Sequence, residues 1–349
     1  MKSDQSKRIL ILGAGAVGGY VGGCLAAAGH RVIFLCTPAT GSEMRAHGLH
    51  VETPGAAHHV HPEAVEAPEE VFAAGEIDLA IVTLKRYDTE AVVRPFAVYA
   101  ERIGCVLSLQ NGIGAEAQLA DLLGSDRIIP GTVTTAVSRR SRHSVVVERM
   151  RGVGVAGEKD AAGLWAAELD RAGLNCRVYP DAADMKWSKL FTNLIANPTS
   201  AILDLSPAQI FAHPGLFRLE ILQLREALAV IEAIGAQVVD LPGMPVRLLA
   251  FCAAQLPLPV SRLLLGGALG RGRGGKMPSF HADLYGGGGR SEIGYYHGAV
   301  VRQAEVLGID VPVNRLLTDT FTGILQGRLA LADFLHQPDR LLAALPTAH

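Results

Sequence analysis

Residues 8–18 read RILILGAGAVG. Arg8–Leu12 is a short apolar strand that runs directly into Gly13-Ala14-Gly15-Ala16-Val17-Gly18, and the small-residue run Gly19–Ala28 continues as a helix. Gly29-His30 ends that helix, and RVIFLC at Arg31–Cys36 reads as a second strand. Strand, GxGxxG, helix, strand is the setting in which this glycine pattern binds a dinucleotide. Gly13 permits the tight turn, Gly15 lets backbone approach a pyrophosphate, and Gly18 lets the helix pack on the strand. The N-terminus of the following helix faces the phosphates, and Ala16 and Val17 join the glycines as cofactor-binding candidates. The bland alternative is a glycine-rich turn that binds nothing.

The end of the second strand selects between nicotinamide cofactors. A carboxylate there holds the ribose hydroxyls of NAD, whereas NADP calls for its absence and for an Arg. Here the strand ends Cys36-Thr37-Pro38, with neither acid nor Arg, and Arg45 is the nearest downstream cation. The missing carboxylate favours NADPH, and NADH stays open. Ile77–Leu84 (IDLAIVTL) and Gly104–Leu109 read as further buried parallel-type strands. Lys85 and Asn111 follow them, at the carboxyl ends where open α/β sheets bind ligands. A solvated loop lysine and an Asn-Gly turn are the competing readings. His58, His59 and His61 are read as a polar surface loop rather than a metal site.

Ile128–Thr135 and Ser144–Ala156 look like strands, the second pair antiparallel. A helix over Ala161–Ala172 and a strand at Asn175–Tyr179 close a first domain at residues 1–180. The remainder, 181–349, reads as helices: Asp184–Leu203, Pro207–Ala236, Pro245–Leu256, Ser291–Leu307 and Asn314–Gln326. The expected fold is therefore α/β, an N-terminal Rossmann-type dinucleotide-binding domain followed by an all-helical C-terminal domain. Pro207–Ala236 is apolar on several faces, a core or interface helix, and homodimerisation through the helical domain is the expectation it raises.

Within that region lies MKWSKLFTNLIANPTSAILD, Met185–Asp204. Lys189, Asn193 and Asn197 recur every four residues, so on one helix each turns only about 40° from the last. They form a narrow polar stripe on an otherwise apolar helix. A buried lysine is costly unless paired. The stripe therefore reads either as a proton donor with two orienting amides, facing the nicotinamide, or as a snorkelling lysine with two backbone-satisfying amides. Further on, Gly266–Gly275 and Gly286–Gly289 read as mobile loops or a lid around Met277-Pro278-Ser279. Ser291-Glu292 opens the next helix, where Glu292 either favours the helix dipole, or holds Lys189 charged or grips a substrate hydroxyl.

Bulk properties narrow the field. The chain has 349 residues, enough for two domains, with 49% hydrophobic and 19% charged residues. A formal net charge of -2 gives no electrostatic case for nucleic acid or an anionic membrane. The five cysteines show no CxxC or CxxH spacing, which argues against a zinc site and fits a reducing cytosol; a cytoplasmic location follows as an expectation. No apolar run reaches the ~18 residues of a membrane span, and the apolar run before Gly13 is too short for a signal peptide.

Taken together, these residues resemble the ketopantoate reductases (2-dehydropantoate 2-reductases). The likeness covers nearly the whole chain. It rests on Gly13–Gly18, LKRYDT with Lys85, QNG with Asn111, KLFTNLIANPTSAI with Lys189, Asn193 and Asn197, PS with Ser279, SEI with Glu292, and LGIDVPVN at Leu307–Asn314. The resemblance implies NADPH-dependent reduction of a 2-oxo acid to a 2-hydroxy acid. It makes Lys189 the general acid and Glu292 its carboxylate partner, Asn193, Asn197 and Ser279 substrate-binding residues, and Lys85 and Asn111 residues at the cofactor–substrate junction, without a metal. Three departures stand out. Many members have Arg where this chain has Thr37. The common Glu-Ile-Asp-Tyr-x-Asn-Gly is here Glu292-Ile293-Gly294-Tyr295-Tyr296-His297-Gly298, and the segment from Ser279 to Glu292 is one residue longer. These changes, with His281 and His297, would suit a differently shaped 2-oxo acid. A dinucleotide sensor without turnover is the competing class, against which the paired Lys189 and Glu292 speak.

Overall fold

In a computed structural model, which describes residues 6–157, 161–272 and 277–345, the chain divides by its internal contacts into two units. One comprises Met1–Lys186 with Leu241–Met244, the other Trp187–Asp240 with Pro245–His349. The first is α/β and the second is helical.

The first unit is built on strands β1 (Arg8–Leu12), β2 (Arg31–Leu35), β3 (Leu49–Thr53), β4 (Ala56–Val60), β5 (Glu63–Val65), β6 (Ile77–Val82), β7 (Ile103–Ser108), β8 (Ile128–Val133), β9 (Ala136–Ser141), β10 (Ser144–Arg149), β11 (Val153–Ala156) and β12 (Cys176–Tyr179). Eight of them form one sheet in the order β12-β11-β8-β7-β6-β1-β2-β5, parallel except where β11 meets β8. Its central strands are apolar on both faces and largely buried, as a sheet covered on both sides requires. In register, Leu12 lies opposite Leu35 and Val82, so β1, β2 and β6 deliver their following loops to the same sheet edge.

A second sheet, β4-β3-β10-β9, corrects two expectations. His58 and His59 sit on β4 rather than in a loop, and Ser144–Ala156 is two strands belonging to different sheets. The cause is non-local: β10 pairs in parallel with β3, nearly a hundred residues earlier, which no local pattern announces.

Between the two sheets runs the helix Ala16–Ala27, AVGGYVGGCLAA. A Cβ on Gly22 would lie 2.4 Å from the Phe34 ring and 2.9 Å from Ile11 of the large sheet. One on Gly23 would lie 2.3 Å from Val51, and one on Gly19 2.9 Å from Val145, both of the small sheet. Residues four apart share a helix face. Gly18 and Gly22 thus serve one sheet, and Gly19 and Gly23 the other.

In the second unit three expected helices prove to be broken. Asp184–Leu203 is two helices, Ala182–Leu194 and Asn197–Leu203, because Pro198 lacks an N–H and restricts Asn197. Pro207–Ala236 divides at His213-Pro214 into Pro207–Ala212 and Pro214–Ala233 for the same reason. The stretch after Ser291 is a 3₁₀ turn, Ile293–Tyr295, before the helix His297–Leu307. Gly266 to Gly272, expected as loop, continues the helix Leu258–Gly272, and the rest of GGALGRGRGG lies outside the described residues. No described helix is long and apolar enough to cross a membrane.

The glycine faces lead to opposite outcomes for the same substitution. Gly→Ala inside a helix gains about 1 kcal/mol in propensity, but at Gly22 the methyl must displace Phe34, and overpacking costs roughly 1–3 kcal/mol. Gly22→Ala is expected to lower stability in urea unfolding. Gly163→Ala is expected to raise it, because nothing lies within 4 Å of that position in the helix Ala161–Arg171.

Candidate active site

The cofactor-binding candidates all lie in the first unit. Gly13 has φ +112°, and a Cβ there would meet Thr83 Oγ1 at 2.9 Å. Thr83 Oγ1 donates to the Gly13 carbonyl at 2.7 Å, which pins the loop to the end of β6. A Cβ on Gly18 would lie 1.9 Å from that same carbonyl, so only glycine lets the helix approach. Gly15, the helix N-cap, has nothing within 4 Å of its Cβ position, and the first helical turn, with Ala16 and Val17, carries no acid. Two glycines close the turn and the third leaves open backbone at a helix N-terminus. This geometry fits a pyrophosphate.

Thr37 is exposed and caps the helix Pro38–His47, with its Oγ1 3.2 Å from Thr40 Oγ1. Lys85 is exposed and Asn111 half-buried. Gln110, given no role by the sequence, staples their two loops. Its Nε2 donates to the Leu84 carbonyl and to Thr89 Oγ1, both at 2.8 Å. The Gln110 carbonyl in turn accepts from Lys186 Nζ at 2.8 Å. Lys186 is itself buried, 2.8 Å from Glu116 Oε1 and 3.3 Å from the Gly131 carbonyl. The costly buried lysine of this segment is therefore Lys186, satisfied by a carboxylate and two carbonyls.

The substrate-side candidates lie in the second unit. Lys189 and Asn193 are half-buried on the helix Ala182–Leu194. Asn197 is buried and opens the next helix, so the three do not form one continuous stripe. Asn197 Nδ2 nevertheless donates to the Asn193 carbonyl at 3.2 Å and to Ser279 Oγ at 3.4 Å, while its Oδ1 accepts from the Phe280 N–H at 3.1 Å. Asn193, Asn197 and Ser279 are thus brought together, with Ser279 exposed at the start of the helix Ser279–Tyr285. That helix is joined to the Glu292 turn twice. Ser291 Oγ donates to Asp283 at 2.7 Å, and Phe280 packs edge-on against Tyr296 at 5.1 Å. Glu292 is 4% exposed and precedes the turn Ile293–Tyr295, with Ser291 Oγ accepting from the Ile293 N–H.

The helix break is held by a residue the sequence reading passed over. Ala196 is left-handed at φ 52°, and its N–H donates to Glu220 Oε2 at 2.7 Å. Thr199 Oγ1 donates to Glu220 Oε1 at 2.6 Å, and Gln223 Nε2 donates to Glu220 Oε2 at 2.5 Å. Since Gln223 gives its amide hydrogens to the carboxylate, its Oε1 faces His297, and His297 Nε2 is the donor in their 2.9 Å contact. His297 is fully buried, so burial pushes its pKa from 6.5 down to about 3. His281, the other extra histidine, instead pairs with Asp204 at 2.8 Å and stacks on Tyr285. The available signal was a charge and an amide three apart, Glu220 and Gln223, on the apolar face of LFRLEILQL.

A dinucleotide-binding α/β unit, with a helical unit carrying lysine, paired amides and a buried carboxylate, is that of a nicotinamide-dependent oxidoreductase. Two family models described as ketopantoate reductase PanE/ApbA and its C-terminal domain match residues 9–159 and 181–324. The 2-dehydropantoate 2-reductase of Archaeoglobus fulgidus is 30% identical over 92% of this chain and 99% of its own. That of Halobacterium salinarum is 28% identical over 89% and 97%. Among solved structures, a PanE/ApbA family ketopantoate reductase from Ralstonia eutropha superposes with a TM-score of 0.76 at 27% identity, over 92% of this chain and 99% of that one. D-mandelate dehydrogenase in complex with NADH and anilino(oxo)acetate shares the fold, with a TM-score of 0.74 at 21% identity over 92% and 99%. The chain belongs to the ketopantoate reductase family.

His297 also sets a pH dependence. Its folded pKa lies below the unfolded value. The stability it contributes is therefore complete above about pH 6.5 and is lost as pH falls toward about 3. Urea unfolding between those limits should show stability falling with pH, and His297→Asn should reduce the slope by up to about 1.4 kcal/mol per pH unit.

Proposed function

We propose that this protein reduces 2-dehydropantoate to pantoate. When bound, NADPH supplies the hydride that reaches C2. The carrying observation is the buried Asn197 amide, held at both ends by Asn193, Ser279 and Phe280, at the break that follows the Lys189 helix. The Lys189 ammonium donates its proton to the carbonyl oxygen as negative charge develops there, and Glu292 keeps that ammonium charged. Asn193, Asn197 and Ser279 orient the substrate. Asn111 and Lys85 act where cofactor and substrate meet, and Gly13, Gly15, Ala16, Val17, Gly18 and Thr37 hold the dinucleotide. The product is the 2-hydroxy acid, its C–H from the cofactor and its O–H from Lys189. Family membership and the domain matches support this reading.

One observation favours a second substrate. A Cβ at Gly294, where the family commonly carries Asp, would meet nothing within 4 Å, which leaves room beside Glu292 for a bulkier 2-oxo acid. Following NADPH absorbance at 340 nm with 2-dehydropantoate and then with branched and aromatic 2-oxo acids separates the two. Lys189→Ala is expected to lower turnover by roughly 10²–10⁴-fold with NADPH binding retained. Surviving activity would remove the proton-donor role.

A cytoplasmic enzyme acting as a homodimer through the helical unit completes the proposal. Exposed Leu248, Phe251 and Leu263, on neighbouring helices, support the dimer. Light scattering that returns a monomer mass would remove it.

A further inference from the structure

In a dinucleotide fold the residues after β2 meet the adenosine ribose. Here residues 36–40, CTPAT, carry no charge, so the group that distinguishes NADPH from NADH, the ribose 2′-phosphate, finds no cation in the local sequence. Arg45, the nearest downstream cation, is already engaged: Nη1 donates to the Ala64 carbonyl at 3.0 Å, and Nη2 lies 3.3 Å from Glu66.

A different cation reaches this edge from the other sheet. Arg139 stands on β9, and its Nη2 lies 3.5 Å from Thr40 Oγ1, the hydroxyl that Thr37 also contacts at 3.2 Å. Its remaining hydrogen bonds go to the carbonyls of Ser141 at 3.0 Å and Arg142 at 3.2 Å. Among the described residues no carboxylate pairs with it. Glu43, the acid of the helix Pro38–His47, is taken by His143 at 3.2 Å. Partial burial and the neighbouring Arg142 hold the Arg139 pKa below its usual value, as for a cation short of an anion. Burial raises the Cys36 thiol, a rise that Arg45 and Arg139 oppose and Glu66 adds to.

We propose that Arg139, with Thr37 and Thr40, forms the 2′-phosphate site, so that this chain selects NADPH through a cation carried by its second sheet. The inference rests on the dinucleotide-dependent reading given above. A guanidinium stays charged at any working pH and matches phosphate geometry. Its delivery depends on the glycine faces of the helix Ala16–Ala27, which let the small sheet pack closely there.

The test is equilibrium binding of NADPH and of NADH to the full-length protein, read by nucleotide fluorescence. The wild type is expected to prefer NADPH. Arg139→Ala should weaken NADPH by roughly 10–100-fold, the loss of a charge-assisted phosphate contact, and leave NADH unchanged, which also certifies the fold. Arg139→Lys should recover part of the loss. NADPH bound by Arg139→Ala as tightly as by wild type, or an equal loss of NADPH and NADH, overturns the inference, as does a wild type without preference. If the wild type binds neither dinucleotide, the cofactor reading itself falls, and this inference with it.

Discussion

A helix can lie in close contact with two sheets at once only if neither of its faces carries bulk. The helix Ala16–Ala27 meets that condition with four glycines, Gly18 and Gly22 toward the large sheet and Gly19 and Gly23 toward the small one. The close approach to the large sheet also seats the Gly13–Gly18 loop, where Thr83 fixes the Gly13 carbonyl and Gly15 stays open. The close approach to the small sheet brings β9 near enough to the end of β2 for Arg139 to reach Thr40. Pyrophosphate and ribose ends of a dinucleotide site thus depend on one packing constraint. The composition has a cost, since glycine inside a helix forgoes about 1 kcal/mol relative to alanine. Such a run persists only where the space is needed.

The second unit solves a different problem, that of holding a bent backbone inside a core. Ala196 in the left-handed region costs on the order of 1–2 kcal/mol, and a buried carboxylate costs several more if it is left unpaired. Glu220 settles both, because the N–H freed by the break is one of the donors that satisfy it. The arrangement fixes where Asn197 begins its helix, and therefore where its amide can hold Ser279 and the Phe280 N–H. His297 sits at the far end of the same network, buried and hydrogen-bonded through Gln223. Its departure from the common family residue is thus absorbed by packing around the break.

What could be read from the sequence was local chemistry. The strand, glycine turn, helix and next strand each announce themselves within a few residues, and their order defines the first unit. The small sheet was illegible because its two hairpins join through the distant pairing of β10 with β3, and because AAHHV on β4 lacks the apolar alternation of a buried strand. The four-residue spacing of Lys189, Asn193 and Asn197 suggested a stripe, and Asn197-Pro198 was the local sign that the helix would break within it. Asn193, Asn197 and Ser279 come together all the same, through hydrogen bonds instead of helical periodicity. Glu220, Gln110 and Arg139 could not be assigned from the chain alone, since the partner that gives each its meaning lies far away in sequence.

Lys186 and Lys189, three residues apart, show how the surroundings divide labour between identical side chains. Lys186 is 7% exposed, and a carboxylate and two carbonyls engage its ammonium, so it ties the start of the helix to the loops that carry Asn111. With Glu116 and two backbone carbonyls as its partners, Lys186 is committed to a structural tie. Lys189 is half-buried, one turn before Asn193 on the helix that ends at the Asn197 break. A general acid needs that combination: enough burial to strengthen its interaction with a developing oxyanion, and enough access to be reprotonated between turnovers. On the proposed reading, the open position at Gly294 leaves space beside the buried Glu292 for a bulkier 2-oxo acid.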